Sequence, residues 1–202
     1  MLASQATITV LDFEGTGLVQ GYPDEPWQIG LVQIKNGAIQ PDTIFESLLQ
    51  VGERPFNRYA PGRHADLRAE MKVAPTLPSL WAQLRPQLEG TLLAAHNTPS
   101  EHRYLSSAFP LHPPERWIDT LKLIRVVYPT LKSHKLDDVL EQMKLTAALD
   151  AILPGREAHD ALYDAICCAL LLEAILKLPG WESVTVEALQ RATPHHFHKR
   201  KR

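Results

Sequence analysis

The sequence predicts an α/β fold: a mixed sheet of five strands with helices on both of its faces. Two observations lead to this prediction. The N-terminal part of the chain alternates β-rich runs with tight turns, which is typical of an antiparallel meander of three strands. The remainder alternates helical periodicity with two short apolar runs, a pattern that favours parallel strands and surrounding helices. At 202 residues the chain suits one domain with a substantial core.

The individual elements follow from local patterns. The apolar, β-branched run 7–10 begins the first strand, and Asn36-Gly37 supplies the positive φ angles of a type I′ turn between the second and third. Helical spacing then predicts helices over 77–90, from 98 onward, and over 121–128, 135–143 and 160–177. Strands are predicted over 91–95 and 117–119.

Composition narrows the class of protein. The adjacent Cys167 and Cys168 stand in an apolar run, which predicts core helix positions and not a disulfide framework. No apolar run is long enough to span a bilayer, so we expect a cytoplasmic protein without a membrane partner. We expect residues 1–182 to form the domain, and 183–202 to add a C-terminal helix and a basic flexible tail.

Charge limits how the chain could bind nucleic acid. The net charge is −2, and the four basic residues at 199–202 leave the rest with 17 basic and 23 acidic side chains. Such an acidic body does not attract nucleic acid by net charge alone. Any role of that kind must depend on a local site or on acids neutralised by metal.

Two acids close the first strand. Because side chains alternate along a strand, Asp12 and Glu14 lie on one face together with Ile8 and Val10. Burying acids there costs free energy unless something offsets their charge, and a divalent cation that prefers oxygen ligands is the simplest partner. The alternative is a strand that merely ends in a polar turn.

Further acids follow in two later segments. Glu101 lies in the first turn of the helix after 91–95, and Asp164 lies in the first turn of the last helix. His159 is five residues before Asp164, about 140° around a helix, so both reach one site only if His159 precedes the helix. Four carboxylates and a histidine suit two-metal hydrolysis of a phosphodiester. Glu101 has an alternative role, because T-P-S-E (98–101) is also a helix capping box.

The ordered motifs D-F-E-G-T-G (12–17), A-H-N (95–97), I-D-T-L (118–121) and H-D-A-L-Y-D (159–164) resemble the DEDD superfamily of 3′→5′ exonucleases (DnaQ-like), histidine subclass. The resemblance covers about residues 7–178. Glu101 stands where that family has aspartate, and Ser100 where it usually has an aromatic residue. The resemblance implies an RNase H-like fold.

The resemblance also implies the roles of individual residues. Two Mg²⁺ ions, with Mn²⁺ as a substitute, would be held by Asp12, Glu14, Glu101 and Asp164, with His159 as general base. The implied substrate contacts are Phe13, Gly15, Thr16, Asn97 and His64.

The implied function is a metal-dependent 3′→5′ exonuclease that releases nucleoside 5′-monophosphates from single-stranded DNA or RNA. A polymerase or repair partner fits this function, and homodimerisation stays open. Two alternatives also stay open: a catalytically weakened nucleic-acid-binding or regulatory module of the same fold, and a phosphohydrolase of small nucleotides.

Overall fold

The computed structural model describes residues 1–193 and Phe197. Most of the expected basic tail therefore lies outside the described residues. The sheet has the order β3-β2-β1-β4-β5, in which β1 pairs antiparallel with β2 and parallel with β4. The pairing confirms the predicted meander followed by parallel strands. The strands are β1 Ile8–Gly15, β2 Pro26–Lys35, β3 Ala38–Leu48, β4 Leu92–Ala95 and β5 Trp117–Asp119.

Eight α-helices are found in the described part of the chain. They are α1 Arg68–Val73, α2 Trp81–Leu88, α3 Pro99–Ala108, α4 Thr120–Val127, α5 Leu136–Gln142, α6 Thr146–Ile152, α7 Ala161–Leu176 and α8 Val186–Arg191. The helix predicted over 77–90 starts with a 3-10 turn, Leu77–Leu80, a form common at helix N-termini. The short helices α1 and α6 were missed because six or seven residues are too few for a clear apolar stripe.

The sheet separates two apolar layers, and β1 contributes to both. Val10 packs with α7 residues such as Ile166 on one side of the sheet, whereas Leu11 packs with Leu84 of α2 on the other. This confirms the predicted alternation along β1. Asp12, two positions after Val10, consequently faces the layer that contains α7.

A glycine in β2 brings α7 close to the sheet. Gly30 pairs with Asp12, and a Cβ atom at position 30 would overlap the backbone of Leu162 at the start of α7. Only glycine lets the first turn of α7 lie against the strand at this point. Gly30 therefore determines how closely Asp164 approaches the acids of β1.

Helix α7 is buried along most of its length, and Cys167 and Cys168 are buried within it with free thiols. Among the described residues, no helix combines the length and apolar character needed to cross a membrane. The C-terminal helix α8 follows a segment tied to the N-terminus, since Ala3 donates a hydrogen bond to the Val184 carbonyl at 2.8 Å. The expected division near residue 182 stays a prediction.

Candidate metal centre

The start of α7 holds His159 and Asp164 in one place. Asp160 caps the helix by accepting hydrogen bonds from the N–H groups of Leu162 and Tyr163, both at 3.1 Å. His159 has a φ of 65° and precedes the helix, as predicted, and its N–H donates to Asp164 Oδ2 at 3.2 Å. The left-handed backbone turns the chain, so that residues five positions apart meet.

Glu14 completes this group from the sheet. Ligand atoms of Glu14, His159 and Asp164 all lie within 4.8 Å of one another. Glu14 is buried, Asp164 is partly buried and His159 is exposed. The structure thus brings together acids from β1 and α7 with an imidazole that is open to solvent.

The cap of α7 is itself held by a buried glutamine. Gln28 of β2 pairs with Glu14, donates to Asp160 Oδ2 at 3.1 Å and accepts from the Ala161 N–H at 3.3 Å. Arg156 also contacts Asp160, at 2.7 Å. Gln28 is not among the residues predicted from the sequence, although Gln28 and Gln33 are the two buried polar residues of a largely apolar strand.

Glu101 does not form the helix capping box that its sequence motif allowed. Its side chain is only 5% exposed, and its Oε2 atom has no hydrogen-bond partner among the described residues. Thr98 makes no side-chain capping bond, so the capping box does not form. A buried carboxylate oxygen without a partner is costly, and a cation is a ligand that would satisfy it. The assignment of Glu101 as a metal ligand stays a prediction.

A second, partly buried network positions the helix that carries Glu101. Asp24 accepts hydrogen bonds from the Tyr104 hydroxyl at 2.5 Å, from Arg103 at 2.7 Å and from the Gly17 N–H at 2.7 Å. It therefore ties α3 to the loop that follows β1. No local pattern indicates a role for Asp24, because its partner Tyr104 is 80 positions away.

Burial and mutual repulsion raise the pKa of every predicted acidic ligand. Burial is the largest cause in each case, and it raises the pKa of Asp12 well above its ordinary value. It raises the pKa of Glu14 to about 8 and those of Glu101 and Asp164 to about 7. Neighbouring acids add to the effect: Asp164 for Asp12 and Glu14, Asp119 for Glu101, and Asp137 for Asp164. Without a cation, the cluster therefore retains protons near neutral pH.

The residues expected to contact substrate from the first strand lie beside the acids. Phe13 and Gly15 line a cavity of about 290 Å³ together with Glu14 and Glu101. Phe13 packs edge to face against Tyr104, with ring centroids 5.4 Å apart. Thr16 is buried, and its hydroxyl accepts the Glu25 N–H at 3.0 Å, so it braces the loop. Contact of these residues with substrate stays a prediction.

The other two expected contacts differ in their surroundings. Asn97 is exposed, has a φ of 79° and donates its N–H to Asp119 Oδ1 at 3.3 Å. His64 stacks on Phe56 at 4.7 Å between centroids, and its Nε2 lies 3.1 Å from the Ala60 carbonyl. These contacts give His64 a packing role within its loop. A role for either residue in binding substrate stays a prediction.

The acid cluster lies between two cavities. The smaller one, of about 290 Å³, contains Glu14 and Glu101. The larger one, of about 690 Å³, contains Asp12, Asp164 and His159. A polymer could therefore reach the acids with its last unit on one side and its continuing chain on the other.

Comparison with known proteins finds similarity to exonucleases. The RNase_T family model, described as exonuclease, matches residues 9–172. A DNA polymerase III subunit epsilon-like protein of Rhodobacter capsulatus is 30% identical over 175 residues, covering 85% of this chain and 23% of that protein. The 3′-5′ exonuclease DinG of Staphylococcus aureus is 26% identical over 192 residues, 92% of this chain and 20% of that protein. The chain thus spans about a fifth to a quarter of these relatives.

Solved structures share the fold. The nuclease domain of 3′hExo, a DEDDh family member bound to rAMP, has a TM-score of 0.67 at 17% identity and covers 91% of this chain and 97% of that one. Escherichia coli Exonuclease I in complex with an oligonucleotide has a TM-score of 0.60 at 15% identity and covers 85% of this chain and 40% of that one. These similarities confirm the expected RNase H-like architecture.

Proposed function

The chain belongs to the RNase_T exonuclease family, within the DEDD superfamily, and on that premise we propose that it is a metal-dependent 3′→5′ exonuclease. Its substrates are single-stranded ends of DNA or RNA, and its products are nucleoside 5′-monophosphates. One observation supports this proposal most directly: ligand atoms of Glu14, His159 and Asp164 converge within 4.8 Å.

The donor set fits hard divalent cations. Asp12, Glu14, Glu101 and Asp164 would hold two Mg²⁺ ions, for which Mn²⁺ can substitute. The unpartnered Oε2 atom of Glu101 and the raised carboxyl pKa values both indicate that a bound cation would stabilise the ionised carboxylates. Two bound ions would neutralise the carboxylates and polarise the phosphodiester at the reacting phosphorus.

His159 is suited to move a proton. Its backbone is held from two sides, by its hydrogen bond to Asp164 and by Gly62, where a Cβ atom would come within 2.8 Å of the His159 carbonyl. Its ring is exposed beside the acids. Histidine is the side chain that most often acts as a general base in enzymes. A ring nitrogen of His159 takes a proton from the attacking water as the water oxygen bonds to phosphorus. The bond from phosphorus to the 3′ oxygen of the preceding nucleotide breaks, and this oxygen leaves as a hydroxyl that takes its proton from solvent.

The test uses one oligonucleotide labelled at either end, as DNA and as RNA. With Mg²⁺, a 3′ label should appear at once in mononucleotide, whereas a 5′ label should give a ladder; EDTA should stop both. His159→Ala should lower kcat by about 10²- to 10⁴-fold. Asp164→Asn should also lower kcat, because it weakens metal binding. His102→Ala and Glu115→Gln, both exposed in wild type, are the matched controls.

The outcome can also contradict the proposal. No metal-dependent shortening of either strand would overturn it. Oligonucleotide binding without turnover would favour the weakened regulatory module, and preferential hydrolysis of mononucleotides would favour the phosphohydrolase. A polymerase or repair partner is part of the proposal, supported by the epsilon-like name of the Rhodobacter relative.

A further inference from the structure

A basic segment interrupts the acidic chain between the third and fourth motifs. Residues 120–136 include four lysine or arginine side chains and no acid, although the chain up to residue 198 has a net charge of −6. The four are Lys122, Arg125, Lys132 and Lys135. All four are exposed. This segment comprises α4 and the loop leading into α5.

Three of these cations face the candidate metal centre. Arg125, Lys132 and Lys135 line the 690 Å³ cavity that also contains Asp12 and Asp164. The fourth, Lys122, is paired with Asp119 at 3.5 Å and does not line that cavity. Lys135, which is exposed at the N-terminus of α5, also lies in the wall of this cavity.

The three cations have no acidic partner among the described residues, in contrast to several other arginines of the chain. Arg54, Arg103 and Arg156 each pair with a carboxylate at 2.7 or 2.8 Å. Arg125, Lys132 and Lys135 are in no ion pair within residues 1–193. Unpaired cations beside a cluster of acids form a surface that can attract an external anion.

The wall that carries these cations is tied to the sheet. His96, directly after β4, lies 3.0 Å from the Thr120 hydroxyl through Nδ1 and 2.9 Å from the His134 carbonyl through Nε2. His134 in turn contacts the Tyr128 carbonyl at 3.2 Å. The loop that carries Lys132 and Lys135 is thus anchored at both the Tyr128 and His134 positions.

We propose that Arg125, Lys132 and Lys135 bind internucleotide phosphates on the 5′ side of the scissile bond. This inference rests on the proposed exonuclease function. The smaller cavity offers space for about one nucleotide and is lined by Phe13, Tyr59 and Tyr104, with no lysine or arginine. The larger cavity is more than twice that volume and carries the unpaired cations, so the continuing strand leaves through it.

The test compares two charge-matched double variants. Lys132→Gln/Lys135→Gln removes two cations of this surface, whereas Lys35→Gln/Arg116→Gln removes two exposed cations at the opposite end of the sheet. For a 20-nucleotide strand, the first variant should raise KM about tenfold and leave kcat within about twofold. The dependence of log(kcat/KM) on log salt should become shallower by about 1.4, or about 0.7 for each phosphate contact. Adding Arg125→Gln should increase both effects.

A substrate without upstream phosphates separates this inference from the function itself. The p-nitrophenyl ester of thymidine 5′-monophosphate has one phosphodiester, so the Lys132/Lys135 variant should cleave it at the wild-type rate. Wild type that cleaves neither substrate would overturn the proposed function. Wild type that cleaves both, with KM and salt dependence unchanged in the variant, would overturn this inference alone.

A second measurement does not depend on any variant. With wild-type enzyme, KM should fall as the strand is lengthened from two to about five nucleotides, since the three added phosphates can each reach one of the three cations. DNA and RNA strands should respond alike, because they share these phosphates. A KM independent of length would overturn the inference.

Discussion

Replacing Glu101 by glutamine should stabilise the metal-free protein at high pH while weakening its response to metal. The carboxyl group is 5% exposed, and burial raises its pKa from an ordinary 4.5 to about 7. The unfolded chain releases this proton at lower pH than the folded chain does. The stability linked to this proton is therefore fully present below about pH 4.5 and is lost as the pH rises through 7.

The size of the effect follows from the two pKa values. Ionising Glu101 removes about 3 kcal/mol from the free energy of unfolding at pH 8, but only about 1 kcal/mol at pH 5. Glutamine keeps a similar shape and cannot ionise. In EDTA at pH 8, Glu101→Gln should therefore unfold about 6 to 12 °C above wild type for a chain of this size. At pH 5 the two proteins should differ by only a few degrees.

Thermal unfolding at both pH values, in EDTA and in millimolar MnCl₂, measures this prediction. Mn²⁺ should raise the melting temperature of wild type at pH 8, because binding only the folded state shifts the equilibrium. Mn²⁺ should raise the melting temperature of Glu101→Gln by fewer degrees than that of wild type. Glu115→Gln, at an exposed position, is the control and should behave as wild type. A metal-free variant no more stable than wild type at pH 8, or an equal Mn²⁺ shift of the melting temperature in both proteins, would contradict this prediction.

Two further substitutions test the framework around the site. Gly30→Ala should lower the free energy of unfolding by about 1 to 3 kcal/mol through overpacking against α7. It should also lower metal-dependent activity, because Asp164 moves away from Glu14. Urea unfolding measures the first effect and nuclease rates measure the second; an unchanged nuclease rate would contradict this prediction. Asp24→Ala should lower the free energy of unfolding by about 1 to 3 kcal/mol for each buried donor left unpaired. Because α3 carries Glu101, this variant should also cleave the p-nitrophenyl ester of thymidine 5′-monophosphate more slowly. Asp66→Ala, at an exposed acid, is its control, and equal loss in both variants would argue against a positioning role for Asp24.

Local patterns predicted much of the fold because they depend on neighbouring residues. Asn36-Gly37 adopts φ angles of 52° and 71°, as a type I′ turn requires, since few other dipeptides tolerate them. The alternation along β1 follows from the strand repeat of two. The position of His159 before α7 followed from helix geometry, because five residues of helix would have separated it from Asp164.

Local patterns in the sequence thus predicted the five strands and most of the helices, the face of β1 that carries Asp12 and Glu14, and the family to which the motifs point. Long-range packing in the folded chain turns Glu101 inward instead of letting it cap α3, and it seats α7 on the sheet through Gln28 and Gly30. Through Asp24, it also anchors α3. The same packing places unpaired cations beside the acids. These outcomes depend on contacts between residues 80 or 132 positions apart, such as Asp24 with Tyr104 and Gln28 with Asp160, which no local periodicity encodes.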